Sequence, residues 1–421
     1  MLSTSNTPHT LEGGTPVATR SPLPRGPVLG WASFKRVSAP KIASVENLPF
    51  KVFTTSGRAA IYHALLQLKL PAQSIVLVPT YHCPTMVAPV ILANLQVAYF
   101  GLSDDALPNL ESIDPVTANH CRAMLVSHYF GVGRSLAKVR QWCDDRSIAL
   151  IEDCAHSYFG QAGERPIGAW GDFSTASLSK FFPVSEGGVL ASATRQISLA
   201  ALSKPGWRMQ LKGWVDVLEL ATRYRRLPGL NSLLAIAFRM KNSRFGKLAQ
   251  SPGAAVEEIK AGEAQPTART VEALMQNCNM GRVATTPLAA STALRQTLPR
   301  GRIIANRQRN YALYSKFFQN VRGARILLPI TADTASQTAP YVFPLWVDGT
   351  ARADLVYHAL REQGLPVLRW DQVWPGTPEL KGDVGLDWSR HVLQLLCHQD
   401  LDETAIDRTA RAVLALLTIT R

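Results

Sequence analysis

The chain has 421 residues, of which 46% are hydrophobic and 18% charged, enough apolar matter for a large core and a composition that excludes wholesale disorder. Its 45 Lys and Arg outnumber 31 Asp and Glu, a net +14, which favours anionic partners: phosphorylated metabolites, nucleic acid or an anionic membrane surface. No run approaches the ~18 apolar residues of a membrane-spanning helix, the N-terminus lacks a secretory h-region, and the six cysteines contain no CxxC pair, so a reduced, cytoplasmic protein without a metal site is expected.

Residues 1–45 are rich in Pro, Gly, Ser and Thr and read as a flexible N-terminal arm, with structure beginning near Phe50. Ser56-Gly57-Arg58 introduces a helix, AAIYHALLQL, whose apolar residues recur at helical spacing. IVLVP (75–79) is a short apolar run stopped by proline and reads as a buried strand, followed by a helix over 84–94 and a strand over 97–100. The pattern repeats with a strand at 122–127, a helix at 136–146 and a strand at 148–153 that ends on acids. Uniformly apolar strands alternating with helices predict a mostly parallel sheet covered on both faces, an α/β fold.

Residues 170–191 read as two short strands flanking a Ser/Lys turn and a glycine pair. The window 204–247 holds ten basic and two acidic residues, so +8 of the total +14 lies there, and Leu211, Trp214, Val215 and Leu218 form an apolar helical face. Residues 250–267 read as a loop, which makes about 204–267 a basic insertion in a large domain spanning 46–290. After it come a helix at 303–320, the strand YVFPLWV (341–347), a helix at 351–363 and a closing helix at 402–418. These describe a smaller α+β C-terminal domain, 291–421.

In a parallel sheet, ligands sit beyond the carboxyl ends of the strands, so chemistry is sought at Tyr81-His82, His128 and Asp153-Cys154-Ala155-His156. Four pieces fit one job. Lys180, in the turn SLSK, is a candidate covalent amine if desolvation lowers its pKa, with the Ser177 hydroxyl aimed at the same ligand. Asp153, at the end of IALIED, can hold a protonated pyridine nitrogen, or it can simply cap the next turn. His156 can bond the phenolic oxygen of the same ring, or be a satisfied structural histidine. The free amides of Gly57 and Arg58 at a helix start suit a phosphate, and Tyr81 in the turn after 75–79 offers a ring to a flat ligand.

Together, SGRAAIYHAL, IVLVPTYHCPTMV, HYFGVGRSLAKVRQWCDDRSIALIEDCAHSYFG and IGAWGDFSTASLSKFFPVSEGGVLAS resemble the DegT/StrS family of sugar aminotransferases, a branch of the fold-type-I enzymes that use pyridoxal 5'-phosphate (PLP). The resemblance covers roughly 50–200 well and the C-terminal domain loosely. It implies that Lys180 is the Schiff-base lysine and Asp153 the pyridinium partner. His156 would lie beside the ring, with Ser177 and the Gly57-Arg58 amides on the phosphate. It also implies a homodimer with its sites at the subunit interface. The family commonly places an aromatic four residues after the proline of the stacking turn. Here that place is Cys83, which leaves Tyr81 or His82 as the ring partner. The family's Asn-aromatic-Arg element from the neighbouring subunit is matched only approximately by 277–282, and the basic window is longer than usual.

The reaction so implied is transamination from an amino acid, glutamate in the first place, to a keto-sugar, usually nucleotide-linked, in polysaccharide or glycoconjugate biosynthesis. A lyase or sugar dehydratase on the same fold would keep most motifs, although the dehydratase branch usually lacks the lysine. A basic membrane-surface or binding protein and a catalytically idle relative are the readings from other classes. No nucleic-acid partner is expected, because no helix-turn-helix, zinc-finger or RNA-recognition signature is present. The 204–247 window is expected to be an enlarged flap with a solvated basic face, the alternative being peripheral contact with an anionic membrane.

Overall fold

The structure is a computed structural model that describes residues 22–245 and 270–419. Fourteen short strands follow one another: β1 (Phe50–Thr54), β2 (Ile75–Pro79), β3 (Gln96–Leu102), β4 (Pro108–Asn109), β5 (Cys121–Ser127), β6 (Ala149–Asp153), a hairpin of β7 (Gln161–Ala162) and β8 (Arg165–Pro166), β9 (Phe173–Ser177), β10 (Gly188–Ser192), β11 (Ala324–Ile326), β12 (Val342–Val347), β13 (Val367–Leu368) and β14 (Val392–Leu396). Eight of them form one sheet in the order β1-β10-β9-β6-β5-β2-β3-β4. Its centre, β9-β6-β5-β2-β3, is parallel, and the outer pairings are antiparallel.

The strand residues explain why both faces are covered. Along β2, Val76 and Val78 enter one apolar cluster and Leu77 the other. Ala123 and Leu125 alternate with Met124 and Val126 on β5 in the same way. Side chains alternate across a strand, so an unbroken apolar run requires a covering layer on each side. The helix Gly57–Gln67 supplies part of one layer through Ala60, Ile61, Ala64 and Leu65. Tyr129, Phe130 and the C-terminal domain supply the other.

The C-terminal domain is a four-stranded antiparallel sheet, β11-β12-β14-β13, with the helices Arg300–Phe318, Thr350–Glu362 and Glu403–Ile419. Val342, Phe343, Leu393 and Leu395 belong to the same continuous core as Leu77 and Met124 of the large sheet. The two sheets therefore share an apolar seam.

One sequence expectation changes. The stretch expected as a flexible arm is docked over its described part: the Leu23 amide bonds the Gly364 carbonyl, the Val28 amide bonds Asp400 Oδ2 at 3.0 Å, and Val28, Leu29 and Val45 are buried. These three apolar side chains find pockets, which the Pro/Gly-rich composition concealed. The basic window is two helices, Trp207–Arg223 and Asn231–Phe245. The expected loop at 250–267 and residues 1–21 of the arm lie outside the described residues. Among the described residues, no helix is long and apolar enough to cross a membrane.

Candidate active site

The parallel strands β5, β6 and β9 deliver Ser127, Asp153 and Ser177 side by side at their carboxyl ends; Ser127 and Asp153 are register partners, as are Asp153 and Thr175. Asp153 is buried, and its two oxygens do different things. Oδ1 accepts the Ala155 amide at 2.9 Å, the local turn bond foreseen for a capping residue, whereas Oδ2 has only the Ser127 hydroxyl at 3.5 Å. Burial pushes the Asp153 carboxyl pKa up, and the charge of Lys180 pulls it back. A desolvated carboxylate oxygen with one long hydrogen bond is suited to a cationic N–H partner.

His156 is held in one tautomer. Phe130, just past β5, adopts the left-handed region (φ 60°) and points its amide at His156 Nδ1, 3.3 Å away. An imidazole nitrogen that accepts a backbone N–H carries no proton, so the proton is on Nε2. That Nε2 is buried and has no hydrogen-bond partner. Burial, with Lys180 nearby, holds the His156 pKa well below the usual histidine range, so the ring is neutral. An orphaned buried donor costs free energy unless a ligand oxygen meets it.

Lys180 follows β9 in a tight turn, in which the Phe181 and Phe182 amides return to the Leu178 carbonyl. Its Nζ lies 5.2 Å from the Tyr341 ring centre and 5.9 Å from that of Trp370. Desolvation lowers the Lys180 pKa and Asp153 opposes the shift. The same two rings flank His156, at 4.4 and 4.6 Å between centroids. The turn is fixed from behind by Arg307, which is fully buried. Its guanidinium donates to the Lys180 carbonyl at 2.7 Å, the Pro340 carbonyl at 3.0 Å and Gln399 Oε1 at 3.0 Å.

The helix start at Ser56-Gly57-Arg58 abuts this turn. Ser56 takes the Ala59 amide on its hydroxyl and the Ala60 amide on its carbonyl, leaving the amides of Gly57 and Arg58 ahead of the helical ladder. A Cβ on Gly57 would sit 3.4 Å from the Ser177 Cβ, so the helix end and Ser177 share one corner. Gly188 makes the approach possible, since a Cβ there would meet the Ser56 carbonyl oxygen at 2.2 Å.

The turn after β2 carries the two candidate ring partners inward. Tyr81 is wholly buried in the ring cluster of Tyr129, Trp370 and Trp388, and Gln394 donates to its hydroxyl at 3.1 Å. His82 is also buried; it accepts the Trp374 amide and is bonded to the Pro79 carbonyl through its other nitrogen. Both are core residues, and both ring nitrogens of His82 are bonded. The side chain within electrostatic reach of Lys180 and Arg58 is Cys83. The rings beside the lysine, Tyr341 and Trp370, come from the C-terminal domain and carry no motif. His128 is structural too: it pairs with Glu152 at 2.8 Å, and the other oxygen of Glu152 holds the Trp170 and Gly171 amides. His128, Glu152 and Cys154 bring ligand-type atoms within 4.8 Å of one another, but that carboxylate is already saturated. Arg282 of the 277–282 element is bound within its own chain, to Glu186. A separate cavity of about 570 Å3 lies against the docked arm, lined by Lys41, Lys51, Phe159 and Arg300, with none of Asp153, His156 or Lys180 in its walls.

A half-buried lysine with its pKa lowered, a buried acid and an orphaned histidine donor around one corner with free helix amides fit a planar, phosphorylated pyridine cofactor. Residues 41–237 match the model of the DegT/DnrJ/EryC1/StrS aminotransferase family. Aminotransferases of the family depend on PLP. The chain is 25% identical over 170 residues to GDP-perosamine synthase of Vibrio cholerae, covering 39% of this chain and 46% of that one. It is 25% identical over 171 residues to L-glutamine:2-deoxy-scyllo-inosose aminotransferase of Streptomyces kanamyceticus, covering 40% of each. It thus spans about half or less of the length of these curated relatives. Its fold is that of solved aminotransferases: TlmJ from Streptoalloteichus hindustanus (16% identity, TM-score 0.58, 88% of this chain and 86% of that one) and Helicobacter pylori PseC (13%, TM-score 0.56, 89% of each).

Proposed function

We propose that this protein is a PLP-dependent aminotransferase that moves an amino group from an amino acid, glutamate in the first place, to a keto-sugar carried on a nucleoside diphosphate, in polysaccharide or glycoconjugate biosynthesis. The observation that carries this reading is the unpartnered Nε2–H of His156, buried beside the desolvated Lys180 and Asp153. When bound, the cofactor supplies an electron sink that stabilises negative charge at the substrate carbon.

The chain's own groups then have distinct tasks. Asp153 Oδ2 holds a proton at the ring nitrogen, which its burial and single long hydrogen bond leave it free to do. His156 Nε2 donates to the phenolic oxygen, its orientation fixed by the Phe130 amide. The Gly57 and Arg58 amides and the Ser177 hydroxyl hold the phosphate at the positive end of the helix. Lys180 Nζ would be the group that holds the cofactor, and it would take a proton from the donor's α-carbon. Desolvation favours its neutral form, the form able to accept that proton. Arg307 holds the Lys180 backbone while the side chain moves.

The protein is expected to act as a homodimer in the cytoplasm. The reading is tested by borohydride reduction of the cofactor-loaded protein followed by peptide mapping. A pyridoxyl group on the Lys180 peptide is expected, and its appearance on another peptide, or on none, overturns the assignment. Substrate choice is tested with isotope-labelled glutamate against a panel of nucleotide-linked keto-sugars. Failure to label any of them, with the Lys180 adduct present, leaves the cofactor assignment and removes the sugar.

A further inference from the structure

The helical pair that follows the catalytic half is built unlike a solvated surface. In Asn231–Phe245, Leu234 packs against the core. Leu233, Ile236 and Met240 lie near the opposite side at i, i+3 and i+7 and are 66%, 60% and 52% exposed. The helix is thus apolar on its outer ridge as well as its inner one, whereas a water-facing helix keeps its outer face polar. In Trp207–Arg223, Gly213, Val217 and Ala221 are buried against the protein. Next to that buried face runs a second stripe at i, i+4 and i+7: Trp207, 71% exposed, then Leu211 and Trp214, also exposed. Arg208 lies over the Trp207 ring at 5.4 Å. The pair is anchored to the body by the Gln210 contact with the Ala289 amide, by Gly213 against Leu288, and by Arg226 on the Asp400 carbonyl.

An apolar ridge of this kind needs an occupant. The charge around it selects one. Among the described side chains of the pair, six are basic (Arg208, Lys212, Arg223, Arg225, Arg226, Arg239) and two acidic (Asp216, Glu219). A second copy of the chain would bring the identical patch to a two-fold interface and double that excess, and like charges brought together oppose association. An anionic lipid surface neutralises the charge and accepts the ridge at the acyl boundary, where Trp and Arg side chains are favoured.

We infer that the helices Trp207–Arg223 and Asn231–Phe245 form a peripheral docking surface for anionic lipid bilayers, through which the protein sits on a membrane without crossing it. This concerns a face remote in kind from the lysine site and stands independently of the transamination reading.

The test is co-sedimentation of the full-length protein with vesicles of phosphatidylcholine alone or with phosphatidylglycerol added, at low and high salt. Binding is expected only to the anionic vesicles, weakened by salt. The double variant L233E/I236E replaces two exposed side chains, so its circular-dichroism melt should be unchanged, and its partitioning should fall by at least about tenfold. Arg208→Glu with Arg239→Glu should flatten the salt dependence. No binding of the intact protein at low salt, or undiminished binding of L233E/I236E, overturns the inference. Loss of a dimer in L233E/I236E by light scattering, with no vesicle binding by the parent, would assign the ridge to a second copy instead.

Discussion

The lysine corner and the basic helical pair carry charge in opposite ways. At the corner, Lys180 and Asp153 are desolvated and each shifts the other's pKa, and Arg307 is sealed behind them with its donors spent on carbonyls and Gln399. Along the helices, described basic side chains such as Arg208, Arg225 and Arg239 are exposed, and the Lys212–Asp216 ion pair is half solvated. Charge removed from water is costly and therefore kept only where it acts, while charge left in water costs little and is free to address a distant partner. The net +14 of the chain is thus a property of its surface more than of its lysine corner.

Four measurements would break or sharpen that contrast. Lys180→Ala should lower turnover by at least about 1000-fold while leaving the thermal melt of the protein intact; appreciable steady transamination by the variant would mean that another amine does the chemistry. Asp153→Asn keeps the Ala155 turn bond but loses the charge, so kcat should fall roughly 10- to 100-fold, the worth of one charge-assisted hydrogen bond. Near-normal activity would return Asp153 to a purely local turn role. Gly188→Ala forces a methyl against the Ser56 carbonyl and should destabilise the fold by about 1–3 kcal/mol and weaken phosphate binding, as read by urea melts with and without inorganic phosphate. On the helical pair, Lys212→Ala should change stability by less than about 0.5 kcal/mol; a larger loss in the same melts would show that the exposed charges are structural after all.

The titration of the corner gives a further handle with a definite sign. Because the folded pKa of Lys180 is depressed, the unfolded chain binds the proton more tightly than the native protein does. The cofactor-free protein should therefore gain stability as pH rises from that depressed value towards the ordinary lysine value. Thermal melts across this alkaline range should show the rise in the parent and a flatter curve in Lys180→Met.

Much of the corner was legible in the chain. Ser177 and Lys180 are three residues apart on one strand-turn segment, Asp153 ends an apolar strand, and Ser56-Gly57-Arg58 opens a helix, so local pattern alone placed each at the same edge of a parallel sheet. Motif position says that a turn lies at the sheet edge but not which of its side chains, Tyr81 among them, turns inward. Gln394 and the rings of Trp370 and Trp388, some 300 residues downstream, decide that. Tyr341, Trp370 and Arg307 carry no motif, because their roles consist of contacts between domains.

Alternating apolar strands and helices, read in order, determined the α/β fold and the edge where its chemistry gathers, because periodicity and strand-end polarity are local consequences of burial. The tertiary structure alone decided which rings flank the lysine, that Arg307 locks its turn, that the Pro/Gly-rich segment from residue 22 is docked, and that Leu233 and Ile236 face outward. Each of those facts depends on which distant surface occupies the space beside a side chain, and spacing along the chain does not carry that information.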